Sequence, residues 1–149
     1  MLNTGIKGSA SEIVTNEKTA VAVGSGGLSV YATPAMISLM EKSAFESVQS
    51  LLEEGSGTVG TLMNIQHISA TPVGMKVTAE SELIAIDGRK LTFKVTAFDE
   101  VGKIGEGTHE RFIINNEKFQ AKTILRNKIN GIGCIRLCHS FTIFVFYIP

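Results

Sequence analysis

Between Tyr31 and Glu54 lies the one long helical pattern found before the last quarter of the chain, and the residues after it read as strand. A chain with a single early helix must bury that helix against a sheet, which leaves few architectures open. The start and stop signals agree. Thr33 is a good N-cap, Pro34 falls at the first helical position where its missing N–H costs nothing, and Gly55 follows the last periodic residue. Met36, Ile37, Leu39, Met40, Ala44, Phe45, Val48, Leu51 and Leu52 recur at steps of three and four, an apolar stripe broad enough to be buried on more than one side. Glu41 interrupts it, four residues after Ile37 and four before Phe45, so its carboxylate is expected along a dry face. A charge there needs a reason.

Ahead of the helix, Glu12–Thr15 and Thr19–Val23 read as short strand pieces, and Gly24-Ser25-Gly26-Gly27 as a flexible loop. That loop lacks the Lys-Ser/Thr of a phosphate-binding P-loop and the context of a dinucleotide fingerprint. Behind the helix, residues 56–61 form a turn, with Gly60 a place of close backbone approach, and Leu62–Ser69 a strand. Val77, Ala79, Ser81, Leu83 and Ala85 then alternate with Lys76, Thr78, Glu80 and Glu82. Asp87-Gly88 predicts a hairpin into Lys90–Phe98, where Leu91, Phe93, Val95 and Ala97 share a face. Lys103–Ile114 is a further strand with Gly105, Gly107, His109 and Arg111 on one side, and Glu117 to about Lys128 a basic helix.

With 149 residues and 44% hydrophobic content, one compact domain with a substantial core is expected over 1–130. Lys plus Arg and Asp plus Glu balance at 14 each, so no overall field favours nucleic acid or an anionic membrane. The start lacks the basic-then-apolar order of a secretory signal, and a cytoplasmic location is the expectation. Only Cys134 and Cys138 occur, both near the C-terminus, so no disulfide framework is expected; with His139 they fall short of the ligands a metal site needs. Residues 131–149 form an apolar extension too short to span a bilayer, expected to pack on its own or a neighbouring subunit.

One or two strands, a buried helix and three or four long antiparallel strands joined by tight turns describe an α+β fold, a curved antiparallel sheet wrapped around a central α-helix. The motifs Tyr-Ala-Thr33-Pro-Ala-Met-Ile-Ser-Leu-Met-Glu41, Thr-Val-Gly60-Thr, Gln-His67-Ile-Ser-Ala-Thr-Pro and Gly-Glu-Gly-Thr-His-Glu-Arg111-Phe stand in this order. Over roughly residues 10 to 125 the chain thereby resembles the fluoroacetyl-CoA-thioesterase-like branch of the hotdog-fold acyl-CoA thioesterases. The resemblance implies a hotdog homodimer or dimer of dimers with active sites near the subunit interface, hydrolysing an acyl-CoA to free acid and CoA. No cofactor is then expected, coenzyme A being part of the substrate. It further implies that Thr33, Glu41 and His67 form the catalytic group, that the Gly60 backbone N–H meets the thioester carbonyl, and that Arg111 supports the site. One departure is the segment before Thr33, which carries Gly24, Gly26 and Gly27 where the fluoroacetyl-specific enzyme is aromatic and so argues against fluoroacetyl selectivity. The last 19 residues have no counterpart in the family.

Thioester hydrolysis needs a nucleophile or activated water, a proton shuttle and donors aimed at the developing oxyanion. Glu41 suits a base for water or a nucleophile forming an anhydride, His67 a proton carrier to the leaving thiolate, and Thr33 an orienting hydroxyl. Each has a structural reading too: Thr33 as a plain N-cap, Glu41 as the partner of Arg111 or a lysine, His67 as an ordinary strand histidine, and His109 and Glu110 as a strand pair flanking Arg111. Besides the thioesterase, a hotdog hydratase and a non-catalytic acyl-CoA-binding module remain open on the residues alone.

Overall fold

The computed structural model describes residues 2–131, with side chains through residue 126. Cys134, Cys138, His139 and the apolar run to Pro149 lie outside the described residues. The chain divides into two compact units, Met1–Asn116 and Glu117–Pro149.

In the first unit, strand β1 (Lys7–Ile13) leads to a one-turn helix α1 (Ala20–Val23), then helix α2 (Thr33–Gln49) and strands β2 (Ser56–His67), β3 (Lys76–Asp87), β4 (Lys90–Phe98) and β5 (Lys103–Asn115). All five strands join one antiparallel sheet in the order β1-β3-β4-β5-β2. The expected α+β layout is present, and the curled sheet wraps one helix. Helix α3 (Asn116–Gly131) carries Glu117 in its first turn and matches the expected basic helix.

Alternation decides what faces the helix. Val77, Ala79, Ser81 and Leu83 of β3, Leu91, Phe93, Val95 and Ala97 of β4, and Ile104 of β5 are buried, and they meet Met36, Leu39, Met40, Ala44 and Val48 of α2. Ala85 leaves the expected face because the β3–β4 register shifts between Leu83 and Ala85. The helix ends at Gln49, short of the expected Glu54. Its stripe is buried along one side only: Phe45 and Leu51 are exposed and Ile37 and Glu41 half-buried, because the sheet curls around the opposite flank.

Two further expectations change. Thr19–Val23 is no strand: beyond a single bridge of Thr19 to Tyr31, the Thr19 hydroxyl accepts from Ala22 N–H at 3.3 Å and Gly24 closes the turn in the left-handed region. Its apolar run of small residues carries no period that separates strand from a single helical turn. Strand β2 begins at Ser56 rather than Leu62, since residues 56–60 already pair with β5.

Close approach of α2 to β1 depends on Gly8, where an added Cβ would overlap the Ser43 carbonyl and lie 2.7 Å from Ser47 Cβ and 2.8 Å from Ser81 Oγ. Gly8→Val is therefore expected to cost about 2 kcal/mol by overpacking, read as a lower urea midpoint at unchanged slope; an unchanged midpoint would show that the helix does not rest on this contact.

Candidate functional site

Thr33 is the first residue of α2, and it does not cap the helix. Ala32 occupies the cap position without a side-chain bond, and Pro34 follows inside the first turn. The hydroxyl is thus released from the backbone and lies 2.8 Å from Nδ1 of His67, the last residue of β2. The N-cap reading of Thr33 is replaced by a side-chain pair, because the extended segment before the helix aims the hydroxyl at the strand end. A cleft of about 300 Å³ opens here, with Ala20, Ser25, Val30, Thr33, His67 and Ser69 in its wall. His67 Nε2 is buried without a well-formed hydrogen bond. Burial lowers the His67 pKa, opposed in part by the Ser69 backbone.

Glu41, two turns further along α2, belongs to a second group. Its carboxylate is 41% exposed, not sealed as the stripe implied, and lies 3.9 Å from His109 Nε2 and 4.0 Å from Arg111 Nη1. Arg111 is buried and tightly directed: Nε donates to Thr58 Oγ1 at 2.8 Å, Nη2 to the Thr58 carbonyl at 2.9 Å, and Nη1 to His109 Nε2 at 3.0 Å. Its guanidinium also lies over the Phe45 ring at 5.6 Å. His109, fully buried, has Nδ1 2.9 Å from the Leu62 carbonyl. That carbonyl can only accept and the guanidinium can only donate, so the proton sits on Nδ1 and the imidazole is neutral. Its pKa is lowered by burial, with the Leu62 carbonyl opposing, the Arg111 charge lowering it further and Glu41 opposing. Burial likewise lowers the Arg111 pKa against the pull of Glu41, and a guanidinium remains charged.

Gly60 lies between these parts. A Cβ there would collide with the Glu41 carboxylate and come within 3.1 Å of His109 Cε1, so the absence of a side chain makes room for the acid. Beside it the β2–β5 ladder is interrupted at Thr61. The chain thus joins Thr33 to His67, and Glu41 to Gly60, His109 and Arg111. Eight residues of α2 separate Thr33 from Glu41, about 12 Å along the axis, and no hydrogen bond links the two groups among the described residues.

His109 is the functional neighbour that sequence reasoning left as a flanking residue. Its position two residues before Arg111 on the same strand face was the available signal, but only the fold shows the guanidinium turned back onto its ring. Two larger clefts, of about 490 and 430 Å³, contain none of these residues. One is lined by charged residues of β1, β3 and β4, the other by Leu51, Leu52 and Ile113 near the end of α2. Among the described residues no group of three or more His, Cys, Asp or Glu is placed to hold a metal ion, and no helix is long and apolar enough to cross a membrane.

A curled five-stranded antiparallel sheet around one helix is the hotdog fold. A family model described as fluoroacetyl-CoA-specific thioesterase matches residues 14–117, and the chain belongs to that family. A fluoroacetyl-CoA thioesterase of Streptantibioticus cattleyicolor is 45% identical over 93 residues, covering 62% of this chain and 67% of that protein. A solved fluoroacetyl-CoA thioesterase superposes with a TM-score of 0.80 at 35% identity over 85% of this chain and 98% of its own. A threonine-to-serine form of such an enzyme, in complex with acetyl-CoA, superposes at 0.80 with 34% identity over 84% of this chain and 98% of its own. A thioesterase superfamily member from Thermus thermophilus gives 0.78 at 25% identity over 88% and 98%.

His67 and His109 both have pKa values below the ordinary 6.5, so between those values and 6.5 the unfolded chain binds more protons than the folded one. Their contribution to stability is complete above pH 6.5 and falls as pH drops through that window. Urea midpoints at pH 8 and pH 5.5 should show the loss, and His109→Gln should flatten it; an equal slope in the variant would remove His109 from this account.

Proposed function

We propose that this thioester hydrolase acts on a small acyl-CoA, with Thr33, Glu41 and His67 as the reacting group and Gly60 and Arg111 as its supports. The observation that carries the reading is the 2.8 Å Thr33–His67 pair on the wall of a small cleft, formed at the cost of the helix cap. Water adds to the thioester carbonyl and the C–S bond breaks, giving acid and thiol. No electron is gained or lost, which supports chemistry without a redox cofactor. Glu41 acts on the carbonyl side, as base for water or as nucleophile. His67, kept neutral by burial, relays a proton toward the departing sulfur. The Gly60 backbone N–H meets the developing oxyanion, and Arg111, clamped by Thr58 and His109, holds positive charge near the acid. The glycine-serine loop beside the cleft argues against fluoroacetyl selectivity. Acyl-CoA esters are cytoplasmic metabolites, and we place the protein there.

Completion of the site calls for a second copy. Strand β2 is an edge of the sheet, 12 residues long with Leu62 exposed, and the Ile37–Glu41–Phe45 flank of α2 beside it is uncovered. Antiparallel pairing of β2 with its own copy would extend the sheet across a two-fold axis and cover this flank.

Chromatographic turnover assays with acetyl-, fluoroacetyl-, butyryl-, octanoyl- and benzoyl-CoA should release free CoA; a thiol dye is avoided because the chain carries cysteines of its own, Cys134 and Cys138. Glu41→Ala and His67→Ala should each lower kcat roughly 100-fold or more. Binding of CoA esters without turnover in the unaltered protein would overturn the reading. Mixed dimers of these two variants, purified through two tags, keep one intact site if each site takes Glu41 and His67 from different chains. They should recover about half the wild-type rate, whereas an inactive mixture places both residues in one chain.

A further inference from the structure

Tyr31 is 1% exposed, two residues before Thr33, and its ring lies in the core. A phenylalanine would fill that volume. The hydroxyl instead donates to Glu12 Oε1 at 2.8 Å, and Glu12 Oε2 meets Lys18 Nζ at 2.5 Å. Burying a phenol hydroxyl against a partly exposed carboxylate, where a phenyl ring would serve packing alone, calls for a task that the hydrogen bond performs.

What it fixes is visible in the backbone. Tyr31 N–H donates to the Thr71 carbonyl at 2.8 Å, Ala32 N–H to the Lys18 carbonyl at 2.9 Å, and Ala20 N–H to the Val30 carbonyl at 2.9 Å. The segment 30–32 is thus gripped between residues 18–20 on one side and 71–72 on the other, with bridges at Thr19–Tyr31 and Val30–Pro72. The second side is anchored in turn: the Thr71 hydroxyl donates to Asp99 Oδ2 at 2.9 Å, and Asp99 Oδ1 accepts from Val101 and Gly102 N–H. One end of this grip is continuous with Thr33, and the other lies four residues after His67.

We propose that Tyr31 and Glu12 are positioning residues for hydrolysis: their hydrogen bond sets the angle at which the chain enters α2, and so holds the Thr33 hydroxyl against His67 Nδ1. Burial, with Glu12 beside it, raises the Tyr31 pKa, so the phenol stays protonated and donates throughout the working pH range. Helix α2 lacks a side-chain cap, and this contact takes over the orienting task a cap would perform.

The inference rests on the Thr33–His67 reading, and the test separates the two. Tyr31→Phe and Glu12→Ala should each lower kcat about tenfold with KM within about twofold, while Glu12→Gln, which keeps a carbonyl acceptor, should lose no more than about threefold. In Tyr31→Phe the ring NMR signals of His67 should move and its titration midpoint shift, a change that lost core packing alone does not produce. If His67→Ala leaves the rate intact, the site reading fails. If His67→Ala is inactive but folded Tyr31→Phe keeps the wild-type kcat and an unmoved His67 signal, the positioning role is overturned. Should Glu12→Ala not fold, Tyr31→Phe and Glu12→Gln decide the matter, since neither changes side-chain volume appreciably.

Discussion

Helix α2 can lie close against the sheet because small residues meet there. Gly8 of β1 touches the helix at Ser43 and Ser47, Ser81 of β3 stands beside it, and Ala44 and Ala79 are buried nearby. Close contact on the β1–β3 side tilts the burial of the helix to that side. Its other flank, Ile37, Glu41 and Phe45, is left open toward β2 and β5. The position of the acid follows from this asymmetry. A helix wrapped evenly by the sheet would have sealed a carboxylate in an apolar core, at a cost few proteins accept.

The two histidines near the site are both kept neutral by burial, yet their surroundings fit them for different tasks. His109 has both ring nitrogens engaged, one with a carbonyl and one with a guanidinium, and is held as a rigid acceptor that directs Arg111. His67 has one nitrogen on the Thr33 hydroxyl and the other without a well-formed bond among the described residues, so its hydrogen-bonding capacity is only partly used. Tyr31, Glu12 and Lys18 lie behind that second histidine's partner as a framework. The polar groups of this domain thus differ in how completely their hydrogen-bonding capacity is used.

Much of the fold was legible because periodicity is a local property. The helical period of α2 as far as Gln49 and the alternation of β4 and of β3 as far as Leu83 are present in the fold, and the family resemblance carried by the four motifs pointed to Thr33, Glu41, His67, Gly60 and Arg111. Several readings changed in the structure, and three of them show why. Thr19–Val23 became a helical turn, since the Thr19 hydroxyl caps it and Gly24 closes it in the left-handed region. Ala85 left its face because a bulge one residue earlier shifted the register. Thr33 looked like a cap because Ser and Thr before a helix usually are, and only the position of the strand end at His67 claims its hydroxyl.

The sequence by itself determined the order of elements, the faces they bury and the kinds of side chain available for chemistry, because each depends on residues close together along the chain. Only the tertiary structure decided which polar groups meet. The pairing of Thr33 with His67 across 34 residues, of Tyr31 with Glu12, and of Arg111 with Thr58 and His109 depends on strand register and on the angle at which α2 crosses the sheet. Those are set by many small contacts acting together. No local pattern in the chain encodes such distances, and hydrogen bonds, which weaken within a few tenths of an ångström, are the interactions most sensitive to them.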